Sequence, residues 1–159
     1  MDETPGHSID ILLIEDNSGD ISLAREAFRD TKVRNQLFVA EDGEEAMEFL
    51  HGRGRYAGMP RPDLILLDLN LPKLSGREIL AEMKADESLR SIPVVVLTSS
   101  KAEEDILKCY DDHANCYISK PLDFNQFVRV IKSIEEFWLT IVKLPSKNGQ
   151  SQMRSPGRC

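Results

Sequence analysis

Four short apolar runs each end on residues that can do chemistry. IDILLI (residues 9–14) is followed by Glu15 and Asp16, and LILL (64–67) by Asp68. PVVVL (93–97) is followed by Thr98, and CYIS (116–119) by Lys120 and Pro121. Taken singly, each is ordinary: an acid at a strand end is usually a cap or a solvated charge, and Thr is a common turn residue. Taken together they are three carboxylates, a hydroxyl and an amine from four distant places. Carboxylates gathered at one site repel, and burial raises their pKa unless a cation compensates. Hard oxygen ligands with few protein contacts suit Mg²⁺, with Mn²⁺ as a substitute, and leave coordination positions for phosphoryl oxygens. A lysine and a hydroxyl opposite the cation then suit the charge of a phosphoryl group.

The elements that must bring these residues together follow from hydrophobic periodicity. The runs 9–14, 64–67 and 93–97 are almost continuously apolar, as strands buried on both faces of a parallel sheet are. QLFVA (36–40) and CYIS (116–119) are shorter and more polar, as suits edge strands. Between them lie stretches at helical spacing: Ile21, Ala24, Ala27, Phe28 and Thr31 after a candidate cap at Ser18, with Asp20 at the positive end of the helix dipole. Ala46, Phe49 and Leu50 mark a second helix, and Ile79, Leu80 and Met83 a third with Ser75 as its cap. Ala102, Ile106 and Cys109 mark a fourth, and a fifth begins at Phe124. Five βα units predict an α/β fold, a flavodoxin-like, doubly wound, five-stranded parallel sheet of order 2-1-3-4-5. In such a sheet ligands sit outside the C-terminal strand ends, where the candidate residues cluster. Residues 51–62 (HGRGRYAGMPRP) read as an exposed loop.

Composition bounds the class. The 159 residues are 41% hydrophobic and 30% charged, enough for one cored domain and too apolar for a disordered chain. We expect a tail over 1–8, one domain over 9–145 and a disordered polar tail over 146–159. The net charge is −7, and the last 14 residues carry three basic groups and no acid, so the preceding body stands at −10. That is a poor match for nucleic acid. No apolar run approaches a membrane span and the start MDETPGHS has no signal-peptide pattern, so a soluble cytoplasmic protein is expected. The three cysteines have no metal or disulfide spacing. His7, His51 and His113 do not cluster, and we assign them no chemistry.

The set ED at 15–16, LLDLNLPKLSG at 66–76, LTS at 97–99 and YISKP at 117–121 resembles the receiver domain of two-component response regulators, over roughly Ile9 to Lys143. The resemblance implies a domain that takes a phosphoryl group from a histidine kinase onto an aspartate, without being a turnover enzyme. It makes Asp68 the phosphoacceptor and Asp16 a direct ligand of Mg²⁺. Glu15, where many members have Asp, assists through water, and the backbone carbonyl of Asn70 completes the metal set. Thr98 and Lys120 would contact the phosphoryl oxygens, Tyr117 would be the aromatic switch, and Pro121 would follow a cis peptide. The loop FLHGRGRYAGMPRPDLILLDLNLP and the ending NQFVRVIKSIEEFWLTIVKLP are similar to the small regulators associated with phytochrome kinases in cyanobacteria and other bacteria.

A helix over 124–142 would run roughly 28 Å against about 17 Å for a five-residue strand. This extended last helix leaves Phe137, Ile141, Val142 and Leu144 to be covered, either by the body of the domain or by a second copy. A homodimer seam of helix 4, strand 5 and helix 5 is what the phytochrome-linked subset implies. Too few residues follow for an output domain, so signalling through protein contacts of that face is expected. Two other classes compete. A haloacid-dehalogenase-like phosphohydrolase would need a second carboxylate two residues past Asp68, where Asn70 stands, and a capping insert. A pseudo-receiver would lack the acceptor, the lysine or the acid pair.

Overall fold

The structure, a computed structural model, describes residues 8–31, 34–98, 116–120, 124, 125, 127–129, 131–133 and 136, with Thr98 and 116–119 by their backbone alone. Five parallel strands form one sheet: β1 (Ile9–Ile14), β2 (Asn35–Ala40), β3 (Leu64–Asp68), β4 (Val94–Thr98) and β5 (Cys116–Ser119). Their order is β2-β1-β3-β4-β5, the doubly wound order expected from the sequence. The reversal lies at β1, whose neighbours are β2 and β3, so the crevice for a ligand opens between the ends of β1 and β3.

Side-chain alternation along the strands builds a core on each face. Leu12, Ile14, Ile65, Leu67, Val94 and Val96 face α2 (Gly43–His51) and α3 (Gly76–Ala85), packing on Ala46, Phe49, Ile79, Leu80 and Met83. Ile11, Leu13, Leu64, Leu66, Val95 and Leu97 face the other way. They meet Ile21, Ala24, Ala27 and Phe28 of α1 (Ser18–Arg29), together with Phe127 and Ile131. The described residues between 124 and 136 are helical, and the expected extension to 142 with its apolar face lies outside the described residues. So does the fourth helix. Among the described residues no helix is long and apolar enough to cross a membrane.

The helix starts are set by short polar side chains. α1 is capped by Asn17, not by Ser18: the extended backbone at Asn17 lets its Oδ1 accept from the Asp20 N–H at 2.9 Å, and Ser18 becomes the first helical residue. The same helix stops at Arg29 with Asp30 as its C-cap, so Thr31 falls outside the apolar stripe. Ser75 caps α3 as expected, in a reciprocal box with Glu78. α2 ends where Gly52 takes φ +65°, a left-handed cap that a side chain would strain.

Residues 51–62 are less open than the sequence suggested. Tyr56, in a 3₁₀ turn over Gly54–Tyr56, is buried against Phe49. Its hydroxyl donates to Glu45, whose carboxylate also takes the Arg55 guanidinium at 3.0 Å. Arg61 reaches the Ser88 carbonyl at 3.1–3.2 Å and ties the end of the loop to the segment before β4.

Candidate functional site

The end of β1 delivers Glu15 and Asp16, and the end of β3 delivers Asp68. Glu15 has no exposed surface and Asp68 is 3% exposed, while Asp16 faces solvent. A carboxylate oxygen from each lies within 4.8 Å of the other two. Backbone N–H groups fix the buried pair: Asn17 donates to Glu15 Oε2 at 3.1 Å, and Asn70 donates to Asp68 Oδ1 at 3.0 Å. The start of α3 presses close behind Asp68. A Cβ on Gly76 would stand 2.7 Å from the Asp68 carbonyl oxygen and from Leu69 Cα, so only glycine lets α3 begin there.

Among the described residues, one cation answers these acids. Lys120, directly after β5, places Nζ 3.1 and 3.4 Å from the two Glu15 oxygens and 3.4 Å from Asp68 Oδ2. It also lies 2.9 Å from Asp20 Oδ2. Burial pushes the Glu15 carboxyl up to about 7, helped by the hydrogen bond and charge of Asp68 and opposed by Lys120. Burial works against the Lys120 charge, but its bonds to Asp20 and Glu15 and the charges of Glu15 and Asp68 outweigh it. They hold the ammonium above its ordinary pKa.

Beside the cluster an open cavity of about 470 Å³ is lined by Asp16, Asn70, Ser75 and Arg77 among others. Three carboxylates with one shared lysine fit a hard divalent cation, because oxygen is their only donor and their charge exceeds what Lys120 neutralises. Glu15, Asp16 and Asp68 would hold it, with Asn70 at the cavity edge.

The structure thus brings together Glu15, Asp16, Asp68 and Lys120 from three strand ends, and puts Asn70 next to them. Thr98 ends β4 and pairs with Ser119, one strand over from Asp68, which pairs with Leu97. Tyr117 pairs with Val96. The side chains of Thr98 and Tyr117, and all of Pro121, Phe137, Ile141, Val142 and Leu144, lie outside the described residues. Asp20 was read from the sequence only as a helix-dipole residue. Its five-residue spacing from Glu15 is the available signal: a strand end, a tight turn and one helical turn fold it back over the strand it left.

Comparison with known proteins agrees with this geometry. A family model for the response regulator receiver domain matches residues 11–132. Response regulator Rcp1 of Synechocystis sp. is 46% identical over 136 residues, covering 86% of this chain and 92% of Rcp1. The structure of the phosphorylated cyanobacterial phytochrome response regulator RcpA superposes with a TM-score of 0.76 at 51% identity, over 88% of this chain and 100% of that one. The Mn²⁺-bound form of Rcp1 gives 0.74 at 45% identity, over 87% and 99%. Fold, strand-end acids and matched sequence all lead to one assignment: the chain belongs to the response regulator receiver domain family.

Proposed function

We propose that this receiver accepts a phosphoryl group on Asp68 from the phosphohistidine of a histidine kinase, one of the phytochrome type, in a Mg²⁺-dependent reaction. The observation that carries this is the setting of Asp68. It is buried at a strand end, one oxygen is held by the Asn70 N–H, and the other lies 3.4 Å from Lys120. A carboxylate oxygen of Asp68 attacks phosphorus, the P–N bond of the phosphohistidine breaks, and the imidazole leaves. Phosphoryl transfer needs alignment and charge neutralisation more than covalent help. Lys120 supplies a fixed positive charge, and the Asn70 N–H orients the nucleophile. Glu15, Asp16, Asp68 and the Asn70 carbonyl would hold a Mg²⁺ ion, which would supply further neutralisation of the phosphoryl oxygens. The acyl phosphate so formed is a mixed anhydride, so the mark is lost by hydrolysis and the protein returns to its resting state.

Thr98 and Tyr117 are proposed to relay the change, Thr98 by bonding the phosphoryl group and Tyr117 by turning inward. Output then passes through the face of helix 4, strand 5 and helix 5, with Phe137, Ile141, Val142 and Leu144 as the seam of a homodimer. The likeness to RcpA, a cyanobacterial phytochrome response regulator, and to Rcp1 in its Mn²⁺-bound form supports the kinase class and a divalent metal.

The test is intact mass after incubation with acetyl phosphate and Mg²⁺. A single phosphoryl adduct is expected on the wild type and none on Asp68→Asn or with EDTA. An adduct that persists in Asp68→Asn refutes the assignment of the acceptor.

A further inference from the structure

The least expected contact in the site is also the shortest one Lys120 makes. The Lys120 ammonium stands among three acids, with Asp20 at 2.9 Å, Glu15 at 3.1 Å and Asp68 at 3.4 Å. A phosphoryl oxygen that is to be bonded by its three N–H donors must compete with these partners. Glu15 and Asp68 belong to the carboxylate cluster of the metal site, whereas Asp20 does not. Asp20 stands on another element, in the first turn of α1, where its own N–H is anchored to Asn17 Oδ1 at 2.9 Å. The backbone that carries its carboxylate is therefore fixed, and the pair is partly shielded, with the lysine side chain 13% and the aspartate side chain 23% exposed.

We propose that Asp20 is a positioning residue for Lys120, restraining the ammonium on the α1 side of the site and so slowing phosphorylation of Asp68. The proposal rests on Asp68 being the phosphoacceptor. It gives the resting receiver a built-in competitor: the lysine that must serve the incoming phosphoryl group is engaged in advance by an acid with no other part in the chemistry. The strength of that grip then sets how readily the domain is switched.

The test is a double-mutant cycle on the full chain, following the rate of phosphoryl incorporation from acetyl phosphate by intact mass at saturating Mg²⁺. The four proteins are the wild type, Asp20→Asn, Lys120→Ala and the double variant. Asp20→Asn is expected to be phosphorylated about threefold to tenfold faster, the range for releasing a partly shielded ion pair. In the Lys120→Ala background the same change is expected to alter the rate by less than about twofold, because the effect acts through the lysine. Asp20→Glu, which keeps the charge, is expected to stay near the wild-type rate, and Asp20→Ser serves as a second charge-free variant should Asp20→Asn not fold. An unchanged or slower rate in the charge-free variants overturns the restraint. So does an equal gain with and without Lys120, which would be a general charge effect. A wild type that takes up no phosphoryl group overturns the acceptor assignment itself, and the restraint with it.

Discussion

Replacing Asp68 by Asn should make the metal-free protein more stable, although it removes a buried ion-pair partner. Moving the Glu15 carboxyl from its ordinary 4.5 to about 7 corresponds to a penalty of about 3 kcal/mol for ionising it above neutrality. Burial is the largest cause, followed by the hydrogen bond and then the charge of Asp68; the like-charge repulsion that the substitution relieves is on the order of 1–2 kcal/mol. Against this stands the lost contact with Lys120, at 3.4 Å the longest it makes to a separate acid. Lys120 keeps Glu15 and Asp20, so that loss is worth about 0.5–1 kcal/mol. The net expectation at about pH 8 in EDTA is a gain near 1 kcal/mol, or about 2–4 °C in Tm for a chain of this length. Mg²⁺ should reverse the order. At a hundredfold excess over its Kd the metal adds about 2.7 kcal/mol to the wild type, while the variant has lost one of three carboxylate ligands. Thermal melts of both proteins in EDTA and in Mg²⁺ decide the matter. An Asp68→Asn protein that melts several degrees below the wild type without metal, or gains as much from Mg²⁺, would show that Asp68 is a structural ion-pair partner.

Glu15 makes the site sensitive to pH. Its folded carboxyl keeps a proton between about 4.5 and 7 that the unfolded chain has released, so metal-free stability should fall as pH rises through that window. Metal binding needs the carboxylate, so at about pH 6 Mg²⁺ should displace close to one proton, read by calorimetry in buffers of different ionisation heat. Gly76→Ala should destabilise by about 1–3 kcal/mol, since its Cβ would press on the Asp68 carbonyl and Leu69 Cα. That outweighs the gain of about 1 kcal/mol an alanine usually brings to a helix, and a chemical denaturation curve shows which prevails. Tyr56→Phe removes the hydroxyl bonded to Glu45 and Arg55 and should cost about 1 kcal/mol in melts, leaving phosphoryl uptake from acetyl phosphate unchanged.

The sheet was legible because its signal is carried by many residues at once. Each central strand offers four or more consecutive apolar side chains, and alternate members are claimed by helices on opposite faces. No single residue can reverse that pattern. The strand ends were legible for a related reason: a doubly wound sheet turns four sequence positions into one rim, so Glu15, Asp16, Asp68 and Lys120 needed only the topology to meet. Features that rest on single contacts were harder. Asn17 and Ser18 are both good cap residues, and the choice fell to Asn17 because its N–H is also taken by Glu15 Oε2. Tyr56 sits among glycines, arginines and prolines, and its burial depends on Glu45 and Phe49, which lie before the loop. Asp20 needed the path of both α1 and the chain after β5, and neither is encoded in local periodicity.

Charge balance explains why these features form one device. Among the described residues, Glu15, Asp20 and Asp68 stand around Lys120 with Asp16 next to them, four acids to one base. A fully ionised site of that composition is unfavourable where Glu15 and Asp68 are buried, and the raised pKa of Glu15 is the protein's own partial answer, a proton retained on a carboxyl. On the proposed function, a divalent cation would remove the need for that proton, and a phosphoryl group would then bring back negative charge for Lys120 and the metal to meet. Each state of the site thus calls for the next component. If Asp20 restrains Lys120 as proposed, the distribution of the lysine among its three acids sets how steep each step is.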